Sequence, residues 1–334
     1  MPRRGNYRVR GRREFAVFVG VFFVTVFCTG LLALVMFVKP GAQDLGVTFS
    51  SKYSRSLGLS PVDVFTAIVN DLGVQRVRIP VYWDDVEVAP RQWDFSDVDA
   101  LMAIAEQGNV EVTLVVGMKV PRWPECFVPT FFDQSLVAFD EELLLHVQRT
   151  VEQYRHHPAL ARWQVENEVL FPYGECPPPS LERVQEEIAL VRDLDANHPV
   201  MLTVSGEQES WLDVASIADT IGVSMYRFAY NDVLGPLVFP HPPLYYRFHA
   251  MIAQFFSHDV IISELQMEPW FTGSPQDPSS IAVPFDAADF REHIVFARNT
   301  GIREVLLWGV EWWYYTNVHG DPSLWNVARD AFRQ

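Results

Sequence analysis

The sequence predicts an α/β fold, a single (β/α)8 barrel preceded by one N-terminal transmembrane helix. Short apolar runs alternate eight times with longer helical patterns along residues 42–334. Near-continuous apolar strands that alternate with helices are typical of a parallel sheet covered on its outer face. About 250 residues is a usual length for eight such units closed into a barrel. The first forty residues differ in composition, with clustered arginines followed by a long uncharged run.

The N-terminal region divides into a basic arm, residues 1–14, and an uncharged run, residues 15–38. At about 1.5 Å of rise per residue, a helix over that run would cross a hydrocarbon layer of about 30 Å. The arginines favour a cytoplasmic arm, so we expect a single-pass signal anchor in the cell membrane, with residues 42–334 on the extracytoplasmic side. A cleaved signal peptide is the alternative, but its apolar core usually has about 7 to 15 residues and ends at a small-x-small site.

Strand and helix signals alternate through the body without a Gly/Ser-rich linker, which indicates one domain. Ser60-Pro61 and Asp286 suit the first positions of helices, and Gly73 and Gly301 suit the positions just after helices end. The predicted strands are residues 45–49, 76–81, 110–116, 161–167, 200–204, 220–225, 260–264 and 304–308. The predicted helices are residues 61–71, 95–107, 141–156, 181–194, 211–218, 245–256, 286–299 and 322–332.

An open, doubly wound sheet is the alternative topology. It would require a glycine-rich phosphate-binding turn after the first strand, and residues 48–52, Thr-Phe-Ser-Ser-Lys, do not form one. In a closed barrel the chemistry lies at the carboxyl ends of the strands. The residues at those ends are therefore the candidates for a functional site.

The composition narrows the possible partners. The 334 residues carry a net charge of −16, and beyond the first forty residues 19 basic side chains stand against 41 acidic ones, a net charge of −22. So acidic a body repels polyanions, which argues against nucleic acid as a partner. Three cysteines without a CxxC or Cys/His cluster argue against a zinc site. We expect neither a metal nor an organic cofactor.

Two carboxylates stand at the carboxyl ends of predicted strands. Glu168 follows Asn167 at the end of the fourth strand, and Glu264 ends the seventh. Glycoside hydrolysis requires two such groups, one to protonate the leaving oxygen and one to attack the sugar carbon. We therefore assign Glu168 and Glu264 as the candidate catalytic pair. Glu268 competes for the second role, but it lies beyond the strand in a loop.

Neighbouring strand ends offer polar side chains that could support this pair. Arg78 lies among apolar residues of the second strand, so we expect it to be buried and to need an anion, either Glu264 or a structural carboxylate such as Glu166. Tyr226 ends the sixth strand, and its hydroxyl would reach Glu264 if it faces inward. With a side-chain period of two, Glu166 should point the same way as Glu168, one layer deeper, in a structural role.

Tryptophans concentrate at or just past the predicted strand ends. At a cleft they form apolar platforms for the C–H faces of sugars, although any single tryptophan is more often part of a core. Trp312 and Trp313 also lie just past a predicted strand end. Core packing alone does not predict that so many tryptophans lie at the strand ends. We assign four of them to substrate binding: Trp83, Trp123, Trp270 and Trp308.

Cys126 and Cys176 lie in the predicted loops after strands three and four. Neighbouring strands of a barrel place these loops on the same rim, so the two thiols could form a disulfide in an oxidising exterior. Their Cα atoms would have to lie about 4.4 to 6.8 Å apart. Lys119, in the first of these loops, faces either the cleft or solvent.

The chain from residue 44 onward resembles glycoside hydrolase clan A, the retaining TIM-barrel hydrolases with glutamates on strands four and seven. Residues 163–168, Trp-Gln-Val-Glu-Asn-Glu, are similar to the Trp-Gln-x-Asp-Asn-Glu run of family 42 β-galactosidases. Residues 82–87 resemble the strand-two loop shared by families 5, 39 and 42, and residues 262–264 resemble the nucleophile strand of cellulase-like members. Residues 118–119 stand where family 5 usually has a histidine, so the family within the clan stays open.

The resemblance implies a role for each matching residue. It makes Glu168 the acid/base and Glu264 the nucleophile, with Trp308 as the floor of the −1 subsite. Arg78 and Tyr226 become supports of the nucleophile, and Asn167 becomes the donor to the sugar 2-hydroxyl.

These observations predict a retaining glycoside hydrolase that cleaves a neutral β-linked oligo- or polysaccharide by double displacement. Two alternatives stay open, because a fold does not fix a function. One is a catalytically inactive, membrane-tethered carbohydrate-binding barrel. The other is a transglycosylase that uses the same residues with a different acceptor. An inactive barrel often lacks one carboxylate, and both are present here, which favours an enzyme.

Overall fold

The computed structural model describes residues 41–132, 138–176, 180–231, 233–256 and 259–333, and within the N-terminal region residues 15, 17–23, 25–26 and 29–30. The chain divides into two compact units, Met1–Pro40 and Gly41–Gln334. The predicted arm, residues 1–14, and much of the predicted membrane helix, residues 15–38, lie outside the described residues. Across the ranges that are described, no helix combines the length and apolar character that a bilayer span requires.

In the second unit, eight strands form a closed barrel in which every neighbouring pair is parallel. The predicted α/β barrel is therefore confirmed. The strands follow one another around the barrel in chain order. They are β1 (Asp44–Thr48), β2 (Arg76–Pro80), β3 (Glu111–Val116), β4 (Leu160–Val165), β5 (Val200–Ser205), β6 (Thr220–Met225), β7 (Asp259–Gln266) and β8 (Glu304–Trp308).

Helices cover the outside of this barrel. Most predicted helices are present within a few residues of their expected ends. The structure adds three in the loops at the carboxyl ends of the strands: Ser51–Ser56, Trp83–Val86 and Val310–Val318. The helices are α1 (Ser51–Ser56), α2 (Pro61–Ala67), α3 (Trp83–Val86), α4 (Ser96–Gln107), α5 (Ala138–Tyr154), α6 (Leu181–Leu194), α7 (Leu212–Ala215), α8 (Pro243–Ala253), α9 (Ala287–Thr300), α10 (Val310–Val318) and α11 (Ser323–Phe332).

Local sequence explains where the helices begin and end. Asp286 caps α9, where its side chain accepts from the backbone of Asp289 and the Asp289 side chain accepts from Asp286 in return. Gly301 ends the same helix in the left-handed conformation. The predicted helix 61–71 is instead α2 followed by a π-helical turn, Ile68–Leu72. A π-helical turn is rare and usually extends over a single turn, as it does here.

The barrel interior has an apolar layer and a polar layer. Met201, Ile261 and Leu306 form a small cluster separate from the core between barrel and helices. The strand register places Arg78 level with the last residue of β8, two positions closer to the carboxyl ends than Leu306. Buried polar side chains on β2, β4 and β5 fill this upper layer, so the chemistry-bearing groups lie at one end of the barrel. We call the rim at the carboxyl ends of the strands the mouth.

Loops and short hairpins surround the mouth. One hairpin follows β6, Phe228–Asn231 with Gly235–Val238, and another follows β7, Trp270–Phe271 with Ile281–Val283. The β3 loop, residues 117–127, crosses the mouth, because its arginine contacts residues that follow β7 and β8 on the opposite side.

The β3 loop and the loop after β4 are covalently joined. Cys126 and Cys176 form a disulfide with Cα atoms 4.9 Å apart, within the range that the bond requires. The link holds two neighbouring segments of the rim together.

Candidate active site

Glu264 lies in the upper part of the barrel, where two donors hold it. Its carboxylate accepts from Arg78 Nη1 at 2.7 Å and from the Tyr226 hydroxyl at 3.0 Å. The register of β7 against β6 shifts between Ile262 and Glu264, and an irregularity of this kind re-aims a side chain near an active site. The cation and the phenol both stabilise the ionised carboxylate.

Arg78 is fully buried, and its guanidinium is shared among three acceptors. Besides Glu264, its Nε donates to Gln164 Oε1 and its Nη2 to Asn167 Oδ1, both at 2.7 Å. The arginine guanidinium is planar and its N–H donors point in fixed directions, so it can bind several acceptors at once. The partner of Arg78 is therefore Glu264 and not Glu166, the other carboxylate that the sequence left open.

Asn167 is oriented by three donors to its side-chain oxygen, of which Gln164 Nε2 is the most distant at 3.4 Å. Oδ1 accepts from Arg78 and from Thr203 Oγ1 at 3.1 Å, so the amide nitrogen faces the other way and donates to Glu125 Oε1 at 3.3 Å. The next residue, Glu168, is fixed by a bond from its backbone nitrogen to Thr203 Oγ1 at 2.8 Å. Thr203 on β5 thus locks the end of β4 in place.

Glu168 has an environment unlike that of Glu264. Only 7% of it is exposed, and no cation contacts its carboxyl group within the described residues. Burial raises the pKa of Glu168 well above its usual range, and the charges of Glu125 and Glu264 raise it further. Glu168 and Glu264 are thus close enough to interact electrostatically, and the surroundings favour a protonated Glu168.

Lys119 points inward from the β3 loop, which settles the alternative that the sequence left open. Its ammonium is fully buried and donates to Glu125 Oε2 at 3.0 Å, to the Asn167 carbonyl at 2.8 Å and to the Glu168 carbonyl at 3.3 Å. Lys119 therefore joins the β3 loop to the segment that carries Glu168.

Glu166 does not point the same way as Glu168, so the expectation from strand alternation is wrong. The strand ends at Val165, and both glutamates adopt positive φ, 56° at Glu166 and 42° at Glu168. The Glu166 carboxylate accepts from the backbone nitrogens of Met118 at 3.0 Å and Lys119 at 2.6 Å. Its role is structural, as the sequence predicted, but its partners are amides of the β3 loop.

Glu187 on α6 faces Glu166 behind the site. Burial and the neighbouring carboxylate raise the pKa of Glu187 well above its usual range, while burial raises the pKa of Glu166 to about 7. The two carboxyl groups interact electrostatically, and their surroundings favour a proton on Glu187.

Trp308 ends β8 at the mouth, but part of it is already covered. The guanidinium of Arg122 lies 3.9 Å from the centre of the Trp308 ring and 3.9 Å from that of Tyr53. Arg122 also pairs with Glu268 and, at 3.0 Å, with Glu311. The ring face beneath Arg122 is not available to a sugar, and Glu268 serves as a partner of this arginine.

The other three assigned tryptophans differ in position. Trp83 is buried among Met118, Phe139 and Leu143, donates to Glu87 at 2.7 Å and stacks on His146. It therefore presents no face to a sugar, which corrects its assignment to substrate binding. The cause is α3, which begins at Trp83 and turns the indole away from the mouth.

Trp123 and Trp270 remain candidates on the rim. Trp123 is 64% exposed and packs edge-on against Tyr173, with ring centres 5.8 Å apart. Trp270 is partly buried and lies edge-on to Tyr226 at 6.2 Å. Trp270 thus contacts a tyrosine that donates to Glu264, and Trp123 contacts a tyrosine of the loop after β4. By contrast, Trp313 is buried and donates to the Met267 carbonyl at 2.7 Å, so it belongs to the core.

Several residues of the site were not predicted from the sequence. Gln164 and Thr203 interrupt apolar strands, and that interruption was a usable signal for inward-facing polar groups. Arg122 and Glu125 stand in a loop without periodicity, so nothing in the sequence indicated that they reach the mouth. Among the residues that the structure describes, no group of three or more His, Cys, Asp or Glu side chains is arranged to hold a metal ion.

The chain is similar to known proteins in part of its sequence and in its fold. No protein-family model matches the chain. The β-galactosidase BgaB of Geobacillus sp. (strain Y412MC61) is 26% identical over 130 residues, which cover 33% of this chain and 19% of that protein. The β-galactosidase of the psychrophilic Marinomonas ef1 superposes with a TM-score of 0.55 at 15% identity, over 87% of this chain and 59% of that chain.

A mannanase is similar in structure as well. The endo-β-1,4-mannanase of Thermotoga petrophila superposes with a TM-score of 0.58 at 16% identity, over 90% of this chain and 77% of that chain. These likenesses show the fold that the chain shares with TIM-barrel glycosidases. The chain spans less than two thirds of the length of the two β-galactosidases.

Proposed function

We propose that the chain is a retaining glycoside hydrolase that cleaves the O-glycosidic bonds of a neutral β-linked glycan. The observation that carries the proposal is the contrast between two glutamates at one mouth of a closed barrel. Glu264 is held by a cation and a phenol, while Glu168 is buried without a cation on its carboxyl group among the described residues. A reaction that needs one ionised and one protonated carboxyl group would use such a pair.

In the first step, the ionised Glu264 attacks the anomeric carbon while Glu168 transfers its proton to the leaving oxygen. The bond to the leaving group breaks, and a glycosyl ester forms on Glu264. In the second step, Glu168 removes a proton from water as the water oxygen displaces Glu264 from the sugar. Two inversions at one carbon return the original configuration. Arg78 and Tyr226 stabilise the departing carboxylate.

The similar proteins suggest where to look for the substrate. They include β-galactosidases and an endo-β-1,4-mannanase, and a body with a charge of −22 outside the first forty residues disfavours anionic glycans. Trp123, Tyr173 and Trp270 supply aromatic surfaces at the rim for the faces of neutral sugars. A panel of aryl β-galactosides, β-mannosides and β-glucosides is the first screen.

The assignment of roles is tested with variants on the substrate that this screen selects. Glu264→Ala should abolish turnover. Glu168→Ala should lose activity on substrates with poor leaving groups, and added azide should restore turnover on activated aryl glycosides as the glycosyl azide of retained configuration. Glu175→Gln, in an exposed part of the loop after β4, is the matched control and should behave like the unaltered protein. Wild-type rates in both alanine variants would refute the assignment.

We also propose that residues 15–38 anchor the chain in the cell membrane, with the barrel on the extracytoplasmic side. The support is the sequence of this region, an uncharged run that follows six arginines. The disulfide between Cys126 and Cys176 is of the kind that persists in an oxidising exterior. The full chain should resist extraction from membranes by alkaline carbonate, and its barrel should be accessible to protease added outside the cell. Recovery in the soluble fraction would contradict the anchor.

A further inference from the structure

A third carboxyl group, that of Glu125, reaches the site, and the mechanism above leaves it without a role. Glu125 is 6% exposed and comes from the β3 loop. Its Oε2 accepts from Lys119 Nζ at 3.0 Å, and its Oε1 accepts from Asn167 Nδ2 at 3.3 Å. Glu125 thus contacts the amide that precedes the acid Glu168 in the chain.

The backbone holds Glu125 in a specific position. Its φ is 57°, a left-handed value that a non-glycine residue adopts only when its surroundings enforce it. The Glu125 nitrogen donates to the Arg122 carbonyl at 2.7 Å. On the other side, a Cβ atom at Gly174 would come within 2.9 Å of the Glu125 Cβ, so the loop after β4 packs directly against it. The disulfide at the next residue joins the same two loops.

Lys119 couples Glu125 to the acid. One ammonium group contacts the Glu125 carboxylate and the carbonyl oxygens of Asn167 and Glu168. A change in the position or charge of Glu125 is therefore transmitted to the segment that carries Glu168.

The charges around Glu168 come from several elements. Burial is the first cause of the raised pKa of Glu168, the charge of Glu125 is the second and that of Glu264 the third, while Lys119 acts in the opposite direction. The groups that face Glu168 are Glu125 and Lys119 from the β3 loop, Tyr173 after β4, Glu209 after β5, Tyr226 after β6 and Glu264 on β7.

We propose that Glu125 is a positioning residue for the acid/base: it holds the Asn167 amide in place, and its negative charge keeps Glu168 protonated. The inference rests on the proposed function. The side chain acts through Asn167 and Glu168 and needs no contact with the reacting atoms.

The sign of the effect on pH dependence follows from the titration of Glu125. Burial raises the pKa of Glu125 to about 7, so the group is neutral in acid and an anion above that pH. Only the anion favours the proton on Glu168. Removal of the charge should therefore move the alkaline limb of the pH profile, where the protonated acid is lost, to lower pH. The acidic limb should stay in place.

Glu125→Gln tests the proposal, because the amide has the same shape and keeps an acceptor for Asn167. The pH profile of kcat/KM is measured on the full chain with an aryl glycoside whose poor leaving group needs the acid. The alkaline limb should shift down by on the order of one pH unit. Glu175→Gln removes one negative charge from an exposed position nearby and should leave the limb unchanged. Glu125→Asp keeps the negative charge, so its alkaline limb should stay close to that of the unaltered protein.

A second measurement does not depend on turnover. The carboxyl carbon of Glu168 is titrated by NMR in carbon-13-labelled protein, with the signal assigned by its loss in Glu168→Gln. Its midpoint should fall in Glu125→Gln and not in Glu175→Gln. An unchanged midpoint, or one that rises, overturns the inference even where the protein is active. A protein that hydrolyses no glycoside, yet shows the lowered midpoint, would refute the proposed function and leave the electrostatic role of Glu125 intact.

Discussion

Replacement of Arg78 by methionine should destabilise the barrel by about 3 to 5 kcal/mol, because it leaves a buried carboxylate without its cation. Arg78 is 0% exposed and Glu264 is 3% exposed, so water cannot substitute for the lost charge. The variant also removes the donors to Gln164 and Asn167, each at 2.7 Å. Tyr226 still donates to Glu264, which keeps the loss within this range.

A double-mutant cycle separates the charge effect from packing. Free energies of unfolding are measured by urea titration with tryptophan fluorescence for Arg78→Met, Glu264→Gln and the double variant. Glu264→Gln removes the buried charge, so the double variant should be more stable than Arg78→Met alone. Additivity of the two single changes within about 0.5 kcal/mol would mean that the residues do not interact, and it would refute the reasoning.

Arg78→Lys provides the matched control for geometry. A lysine keeps the positive charge, but its ammonium cannot serve three acceptors in the plane of a guanidinium fork. We expect it to recover part of the stability that Arg78→Met loses and little of the activity.

Three further changes probe the surroundings of the site. The midpoint of thermal unfolding should fall as the pH rises from about 5 to 8, because the pKa values of Glu166 and Glu187 are raised in the folded state, and the stability that their protonated forms contribute is lost through that range. Glu187→Gln should flatten this dependence, and an unchanged curve would contradict a proton on Glu187 in the folded protein. Cys126→Ser should lower the free energy of unfolding by about 2 to 4 kcal/mol, and a reducing agent should then have no further effect. Gly309→Ala should destabilise the barrel by more than about 1 kcal/mol, because φ of Gly309 is 112° and the new Cβ would lie 2.6 Å from the Cβ of Glu268. Equal free energies of unfolding in urea for the variant and the unaltered protein would contradict this steric conflict.

Much of the barrel follows from the sequence because its signals are local. Residues 220–225 and 304–308 are short apolar runs, and they form β6 and β8 with the predicted bounds. The helix predicted at 181–194 also has the observed bounds. Periodicity and capping residues act within a few positions of the chain, so a sequence displays them directly.

The position of Glu168 and Glu264 at one end of the barrel was also predictable, because it follows from the direction of the strands. In a parallel barrel all carboxyl ends meet at one rim, so Glu168 and Glu264 fall at the same mouth once the strands are known. The isolation of a charge in an apolar strand predicts a buried anion partner for Arg78, and the structure decides between the two candidates in favour of Glu264. The functional roles assigned to these residues stay predictions.

The side-chain positions that could not be predicted depend on the conformation of the loops at the mouth. Trp83 lies at a strand end like Trp308, yet the short helix that it begins turns it into the core. Glu166 departs from strand alternation because its φ is positive. Arg122 covers part of Trp308 only because the β3 loop spans the barrel. None of these effects has a periodic signature in the sequence.

The most direct test of the catalytic pair is the capture of the covalent intermediate. The protein is incubated with a 2-deoxy-2-fluoro glycoside that bears an activated leaving group, and its peptic peptides are analysed by mass spectrometry. One fluoroglycosyl group should be added to the peptide that contains Glu264, and the Glu264→Gln variant should carry no such group. A label on Glu268 or Glu168, or turnover of the unmodified substrate with inverted configuration and no label, would contradict it.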